Sequence, residues 1–444
     1  MKSLSFIPRF AAVALAACVS VCLAGEVESD AAVSAPKAMT VDSCVDAALQ
    51  FAETNGMFGA EVASSEAERR ETWSGSMPHL NVTPELRENF SGDSGSQFNV
   101  AGDLGQHFLE VPQNIVRNRI ARGQVGIAEL RSRRLRTQYA ARVMRAYVTC
   151  LRASQEVELS RGKLGMAEKE QVAWGRVTTA DRVVEERRDR SLRETERLRI
   201  SLADAKTMQG ECDRQLRQLC GLVDVEVRLT DLPPYGMPSV TLDNCLQWAM
   251  THRSDLLAAR REKELLTEGV RLARMDRLPK PRATFGYDSG GNNSDLNSNP
   301  EGGYAMLALE IPIWDAGATR ARAEQLAAKR DSLEIRMPEL ESEISAAVSE
   351  SYVRLRQAAS TLGAKTDDTT AEKVFREADV RFTLGGASQH EHEGARLQLD
   401  AYRAEVQAAN WACYEEEAQL LEALQATRAD LAAGLPASEV QVGP

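Results

Sequence analysis

Along this chain the spacing of apolar residues switches between two periods, and the switches come in the same order in each half. From Val41 to Trp73 apolar positions recur at helical spacing behind Thr40, a hydroxyl N-cap with Asp42 in the first turn. Ser74, Gly75 and Pro78 end that run. Leu80, Val82, Pro84 and Leu86 then alternate with Asn81, Thr83, Glu85 and Arg87, the two-residue period of a strand. After the loop Ser91-Gly92-Asp93-Ser94-Gly95-Ser96, a second extended stretch reaches Pro112, where Gly105 and His107 share the outward face with Leu109. Helical spacing returns without a proline over 116–170 and 180–222. In the second of these arms Leu198, Leu202, Ala205, Cys212, Leu216 and Leu219 form a heptad-like seam that Gln209 interrupts.

The second half repeats the scheme. Ala283, Phe285 and Tyr287 alternate with small or polar residues, a polar loop runs from Ser289 to Gly303, and the return strand puts Ala305, Leu307, Leu309 and Ile311 on one face. Tyr304, Met306, Ala308 and Glu310 take the other face. Helices are predicted over 318 to about 380 and 388 to about 430, with Leu340, Ile344 and Val348 on one face and a kink at Pro338. The repetition extends to residue identities. Leu109-Glu110-Val111-Pro112 returns as Leu309-Glu310-Ile311-Pro312 (309 − 109 = 200), and Thr40-Val41-Asp42-Ser43-Cys44 as Thr241-Leu242-Asp243-Asn244-Cys245 (241 − 40 = 201). Pro78 returns as Pro279 (279 − 78 = 201), and Gly175-Arg176-Val177-Thr178 as Gly385-Gly386-Ala387-Ser388 (385 − 175 = 210). A period of that length is far beyond solenoid repeats of about 20–50 residues and describes two similar halves building one object.

The expected organisation is therefore a signal over 1–24, a flexible leader over 25–38 and a first repeat over 39–222, with strands near 80–90 and 97–112 and a coiled-coil hairpin over 116–222. A linker over 223–239 carries Pro233-Pro234 and Pro238. The second repeat spans 240–430, with strands near 281–289 and 303–312 and a hairpin over 318–430, and 431–444 is a flexible tail. The fold class is mainly α with a small β part.

Composition agrees with long solvated helices: 27% of residues are charged and only 5% aromatic. A formal charge of −11 speaks against a nucleic-acid partner. Lys2 and Arg9 precede an apolar run from Phe10 to Leu23, which reads as a secretory signal cleaved after Ala24. Leu15-Ala16-Ala17-Cys18 offers the alternative of a lipoprotein acylated at Cys18. No other apolar run reaches 18 residues, so a membrane crossing would have to use strands, and stretches of 9–11 residues suit that purpose. Six cysteines remain outside the signal. Cys212 and Cys220, eight positions apart on one predicted helix, lie about 12 Å apart along its axis, too far to bridge. All six are read as thiols packed between helices. The basic run Arg117, Arg119, Arg122, Arg131, Arg133, Arg134 and Arg136 is read as a solvated face paired with acids on neighbouring helices, with lipid headgroups or nucleic acid as the alternative anionic partners.

The paired Thr-x-Asp helix starts, Pro78 and Pro279 before the strands, Ile311-Pro312-Ile313-Trp314-Asp315-Ala316-Gly317, and Arg381-Phe382-Thr383-Leu384-Gly385-Gly386-Ala387-Ser388 together resemble the TolC-type outer-membrane efflux proteins across the mature chain. The resemblance implies a homotrimer sharing a 12-stranded β-barrel on a helical periplasmic tunnel. It also implies an outer-membrane location, a periplasmic adaptor protein and an inner-membrane transporter as partners, and contact with outer-membrane lipid. Adaptor contacts would fall at the tips, Gly175, Arg176, Val177 and Thr178 with Gly385, Gly386, Ala387 and Ser388. An acidic constriction at the tunnel entrance would fall at Glu391, joined by Glu393 and Asp181. Three converging carboxylates would raise one another's pKa and draw cations.

His390-Glu391-His392-Glu393 suggests metal ligation, but residues two apart on a helix face away from each other, and no cysteine or third histidine stands nearby. No metal, cofactor or catalytic group is expected. A pH-sensitive entrance using His390 and His392 is the remaining reading of that cluster. The expected function is a passive exit duct for efflux or type I secretion, with a periplasmic coiled-coil scaffold or lipoprotein without a pore as the alternative.

Overall fold

The computed structural model describes residues 37–75, 77, 79–88, 96–106, 111–177, 182–222, 227–290, 302–367 and 369–435. The signal, Cys18, most of the leader, Thr178, Asp181 and the end of the tail lie outside the described residues. In chain order the elements are β1 (Lys37–Met39), α1 (Val41–Thr54), α2 (Ala60–Ser74), β2 (His79–Glu88), β3 (Ser96–Gln106), α3 (Val111–Arg176), α4 (Arg182–Cys220) and β4 (Val227–Leu229). They continue as α5 (Leu242–His252), α6 (Ser254–Met275), β5 (Lys280–Gly290), β6 (Gly302–Glu310), α7 (Ala318–Asp367), α8 (Thr370–Thr383), α9 (Gln389–Leu424) and α10 (Arg428–Ala432).

The internal repeat is visible atom by atom. Thr40 and Thr241 each cap a helix by accepting from the backbone N–H three residues on, both at 3.3 Å. Cys44 and Cys245 follow as equivalent core positions with no exposed surface. The predicted single helix over 41–73 is two helices. The chain breaks at Asn55–Gly59, where Gly56 takes φ 70°, a conformation open to glycine at no steric cost. The long helix of the second hairpin is likewise divided between α7 and α8, whereas Pro338 lies inside α7 without ending it.

Four helical columns stand side by side. α3 packs on α4 and α2 along one flank and on α9 and α6 along the other; α7 packs on α9 and α6. The seam of α4 faces α3 as its spacing predicts, with Cys212 and Leu216 buried, and it continues toward the tip as Ser191 and Thr195. Ile344 and Val348 of α7 are buried with Trp411, Tyr414, Leu420 and Leu424 of α9. All six described cysteines are free and buried. Arg119, Arg131, Arg134 and Arg136 pair with Glu268, Glu61, Asp255 and Glu53 on neighbouring helices. Among the described residues no helix is long and apolar enough to cross a membrane.

The end of the leader pairs with the described part of the linker. β1 and β4 form a parallel pair, Lys37 opposite Val227 and Met39 opposite Leu229. This pair and the residues up to Tyr235 make a strap across the middle of the helices. Tyr147 of α3 places its hydroxyl between the Met39 and Thr230 carbonyls. Asn410 of α9 accepts from the Tyr235 amide at 2.7 Å and donates to the Pro233 carbonyl at 3.0 Å, and the Trp411 indole donates to Asp231. The beginning of the tail also packs, with Leu431 and Leu435 buried.

The other four strands form one antiparallel sheet in the order β2-β3-β5-β6. Its register corrects the expected face of β3. Leu80 lies opposite Leu104, Leu104 opposite Phe285, and Phe285 opposite Ala305, a single row across all four strands. Directly opposed positions share a face, so the row-forming positions of β3 are the even ones, and Gly105 lies in the alternate set. The expected face runs through His107 and Leu109, which lie outside the described residues. β3 ends at Gln106 and Val111–Pro112 already belong to α3, and a one-residue shift exchanges the faces of a strand. In the second half, Asp315 closes the passage from β6 to α7 by accepting from the Thr319 amide at 2.9 Å and the Gly317 amide at 3.0 Å. These hydrogen bonds, Thr319's first, hold its carboxyl down at about 2.

Tyr147→Phe takes the hydroxyl donor from the Thr230 carbonyl and leaves the Met39 carbonyl with the Thr230 amide, which costs about 1–3 kcal/mol. We expect faster amide exchange in β1 and β4 with unchanged exchange in β2, β3, β5 and β6.

Candidate functional site

The described tip and entrance residues singled out by sequence gather at one end of the molecule. At the first tip Gly175 and Arg176 are exposed in the last turn of α3 and Val177 is half-buried. Helix ends leave carbonyls without partners, and here Arg188 of α4 supplies them. It donates Nε to the Trp174 carbonyl at 3.0 Å and Nη2 to the Val177 carbonyl. Arg187 lies over the Trp174 ring, 5.0 Å from its centroid.

The second tip is built by a glycine C-cap followed by a serine N-cap. Gly385 adopts φ 73° and lets the chain reverse, while the Gly386 amide donates to the Arg381 carbonyl at 2.7 Å and satisfies the end of α8. Ala387 is half-buried and Ser388 exposed. Ser388 Oγ accepts from the Glu391 amide at 3.2 Å, and the Glu391 carboxylate accepts from the Ser388 amide at 2.8 Å. This reciprocal capping box is readable in Ser388-x-x-Glu391, but the sequence reading assigned Glu391 only to an entrance ring. Within one chain the Ser388 amide holds the Glu391 carboxyl below its ordinary value.

Glu393 has a different task. Lys169 of α3 donates to it at 2.8 Å and Gln389 at 3.0 Å, and both lower its pKa, Lys169 first. This ion pair ties the first hairpin to the second. His392 turns toward α8, with Nε2 3.0 Å from Asp379 and its ring stacked on Phe382 at 4.7 Å. His390 points elsewhere, into an open cleft of about 1040 Å³ that it lines with Trp174, Arg176, Arg187 and Glu393. The two histidines thus diverge as their spacing requires. Among the described residues no group of three His, Cys, Asp or Glu side chains could hold a metal. Neither Lys169 nor Arg188 was found by sequence reading, because their partners are set by tertiary packing.

The structure defines a class: a mainly helical chain with paired hairpins, exposed tips at one end and a small antiparallel sheet at the other. Residues 245–430 match the family model for outer membrane efflux protein. No curated protein matches the chain. Among solved structures it is similar to CusC, with a TM-score of 0.67 at 17% identity over 87% of this chain and 92% of that one. It is similar to the CmeC outer membrane channel of Campylobacter jejuni, with a TM-score of 0.68 at 12% identity over 87% and 85%. The open state of the MtrE outer membrane channel of Neisseria gonorrhoeae gives 0.66 at 16% identity over 89% of each chain. The resemblance to the TolC-type outer-membrane efflux proteins therefore stands, by sequence in the second half and by fold along nearly the whole chain.

Ser388→Ala removes the N-cap acceptor and costs about 1 kcal/mol of local helix stability. The carboxyl of Glu391 is depressed in the folded tip, so its contribution is present above the unfolded pKa and is lost as pH falls through the folded one. We expect protection of the 389–393 amides, corrected for intrinsic exchange, to fall on acidification in the wild type. Glu391→Gln should lack that protection already at neutral pH.

Proposed function

We propose that three copies of this chain close into one outer-membrane channel, a passive exit duct of a tripartite efflux or type I secretion system. The observation that carries this reading is the open sheet. β2 and β6 are its outer strands, each with one side unpaired among the described residues, and α4 with α2 on one flank and α7 on the other end the helical wall in the same way. A neighbour that pairs its β6 with β2 also brings its α7 to α4, a head-to-tail contact that closes into a ring. Four strands per chain give eight strands from two copies, an interior that side chains fill, and twelve from three, which leaves a lumen. Exposed Leu307 and Leu309 of β6, and Phe285 and Tyr287 of β5, suit an outward face against lipid. The family match and the similarity to outer membrane channels support the same reading.

In this assembly the sheet lies in the outer membrane and the helices extend into the periplasm. The tips, Gly175, Arg176, Val177 and Thr178 with Gly385, Gly386, Ala387 and Ser388, meet a periplasmic adaptor that joins the duct to an energised inner-membrane transporter. Glu391, repeated around the axis with Asp181 and Glu393 nearby, narrows the entrance and favours cations. Opening such an entrance involves the Lys169–Glu393 pair, the direct ion pair between the two hairpins at this end.

The mass of the species extracted from outer membranes in mild detergent tests the reading. A trimer that conducts in planar bilayers is expected, with Glu391→Gln lowering its preference for cations. A monomer released by carbonate without detergent would refute the channel and leave a periplasmic scaffold.

A further inference from the structure

At the opposite end from the tips, an open cleft of about 840 Å³ lies between α2, α3 and α6. A smaller one of about 200 Å³ adjoins it through Trp73, Asn118 and Arg122. Arg122 and Arg261 line the first, Arg69 and Arg70 the second. Arg119, Arg131 and Arg136 are neutralised by Glu268, Glu61 and Glu53, but these four guanidiniums have no ion-pair partner among the described residues. Glu268 is taken by Arg119, so Glu264 is the cleft's remaining carboxylate and the local balance is +3 (4 − 1). Arg261 crosses α3 at Gly126, its guanidinium 3.6 Å from where a Cβ would stand. Trp73 and Ile115 form an apolar lip, each more than half exposed.

The cleft's place in the fold gives its charge a meaning. Trp73 is the last residue but one of α2, and β2 begins at His79; Arg122 is eleven residues (122 − 111) into α3, roughly 16 Å along the axis. The cleft therefore sits directly beneath the strands. It also sits on the outer surface. Arg122 and Tyr147 are 25 positions apart (147 − 122), about seven turns of 3.6 residues, so they share a face of α3. That face carries the strap at Tyr147, and a face crossed by a strap cannot line an open duct. Of the helices on the free flanks of the wall, α4 and α7 do not line the cleft, and α2 borders it through Arg69, Arg70 and Trp73.

We propose that this cleft binds the phosphate head of an anionic phospholipid from the membrane leaflet facing the helices, with Trp73 and Ile115 against the start of its acyl chains. Guanidinium forks suit phosphate oxygens, and tryptophan favours the headgroup level. The inference rests on the channel reading, because it needs the strands to lie in a bilayer.

The test uses the full chain extracted in mild detergent, with bound phosphatidylglycerol counted by native mass spectrometry. Arg69→Gln/Arg70→Gln/Arg122→Gln is compared with Arg190→Gln/Arg193→Gln/Arg197→Gln, a control on the exposed side of α4. We expect the cleft variant to retain phosphatidylglycerol about tenfold less well than wild type, with the oligomer unchanged, and the control and phosphatidylcholine retention to be unaffected. Equal retention in the two variants would overturn the proposal while leaving the channel intact. Displacement of the lipid by inorganic phosphate alone would overturn it in favour of a free-anion site. Release of a monomer by carbonate would remove both readings together.

Discussion

Backbone amides and carbonyls at the edge of a sheet need partners, and this chain leaves two such rows, along β2 and along β6. Most of its other features follow from that constraint. A four-stranded sheet this long, with large apolar residues exposed on β5 and β6, is an incomplete object in water and in lipid alike. The helices below it share the incompleteness, because the wall ends at α4 on one flank and α7 on the other. Because both sets of edges lie on the same two flanks, one neighbour can satisfy strands and helices in a single contact. The buried core is correspondingly thin, a band at mid-height where α1, α3, α4, α5, α7 and α9 converge, and the long arms beyond it rely on seams one or two side chains wide.

Much of this was legible in the chain itself, for reasons that are local. The Thr40 and Thr241 caps, the α4 seam through Cys212 and Leu216, the face of α7 through Ile344 and Val348, and the reversal at Gly385 all depend on neighbours within a few residues. What could not be read depends on distant ones. The face of β3 is fixed by Leu104 meeting Leu80 and Phe285, and the duplicated Leu109-Glu110-Val111-Pro112 misdirects because the two copies differ in structure: Val111–Pro112 begin a helix, while Leu309–Glu310 end a strand. The break between α7 and α8 at Asp367–Thr369 falls where no proline or glycine announces it. At the tips the glycines and Ser388 were visible, but Lys169 reaches Glu393 across 224 positions and no spacing predicts it.

The two tips are held by different chemistry although they descend from one repeat. The first is closed by a side chain, Arg188 filling the carbonyl end of α3; the second is closed by backbone, through Gly385, Gly386 and the Ser388 cap. A side-chain clasp can let go and re-form as a rotamer changes, whereas a glycine turn with a capping box keeps its shape through the geometry of the chain. Among the described residues, the end of α3 therefore rests on a side chain and the reversal after α8 on backbone.

The parallel pairing of β1 with β4 carries a consequence for how the molecule is made. Lys37 finds its place only beside Val227, 190 positions later (227 − 37), and Met39 only between Tyr147 and Leu229. The first strand of the fold must thus wait until the whole first repeat has been synthesised and its linker has begun to cross the helices. Seating that strand closes a loop around the first half, late and non-local by nature. It acts as a stamp of completion: a chain cut short before the linker would have every arm of its first repeat and still leave its own beginning unattached.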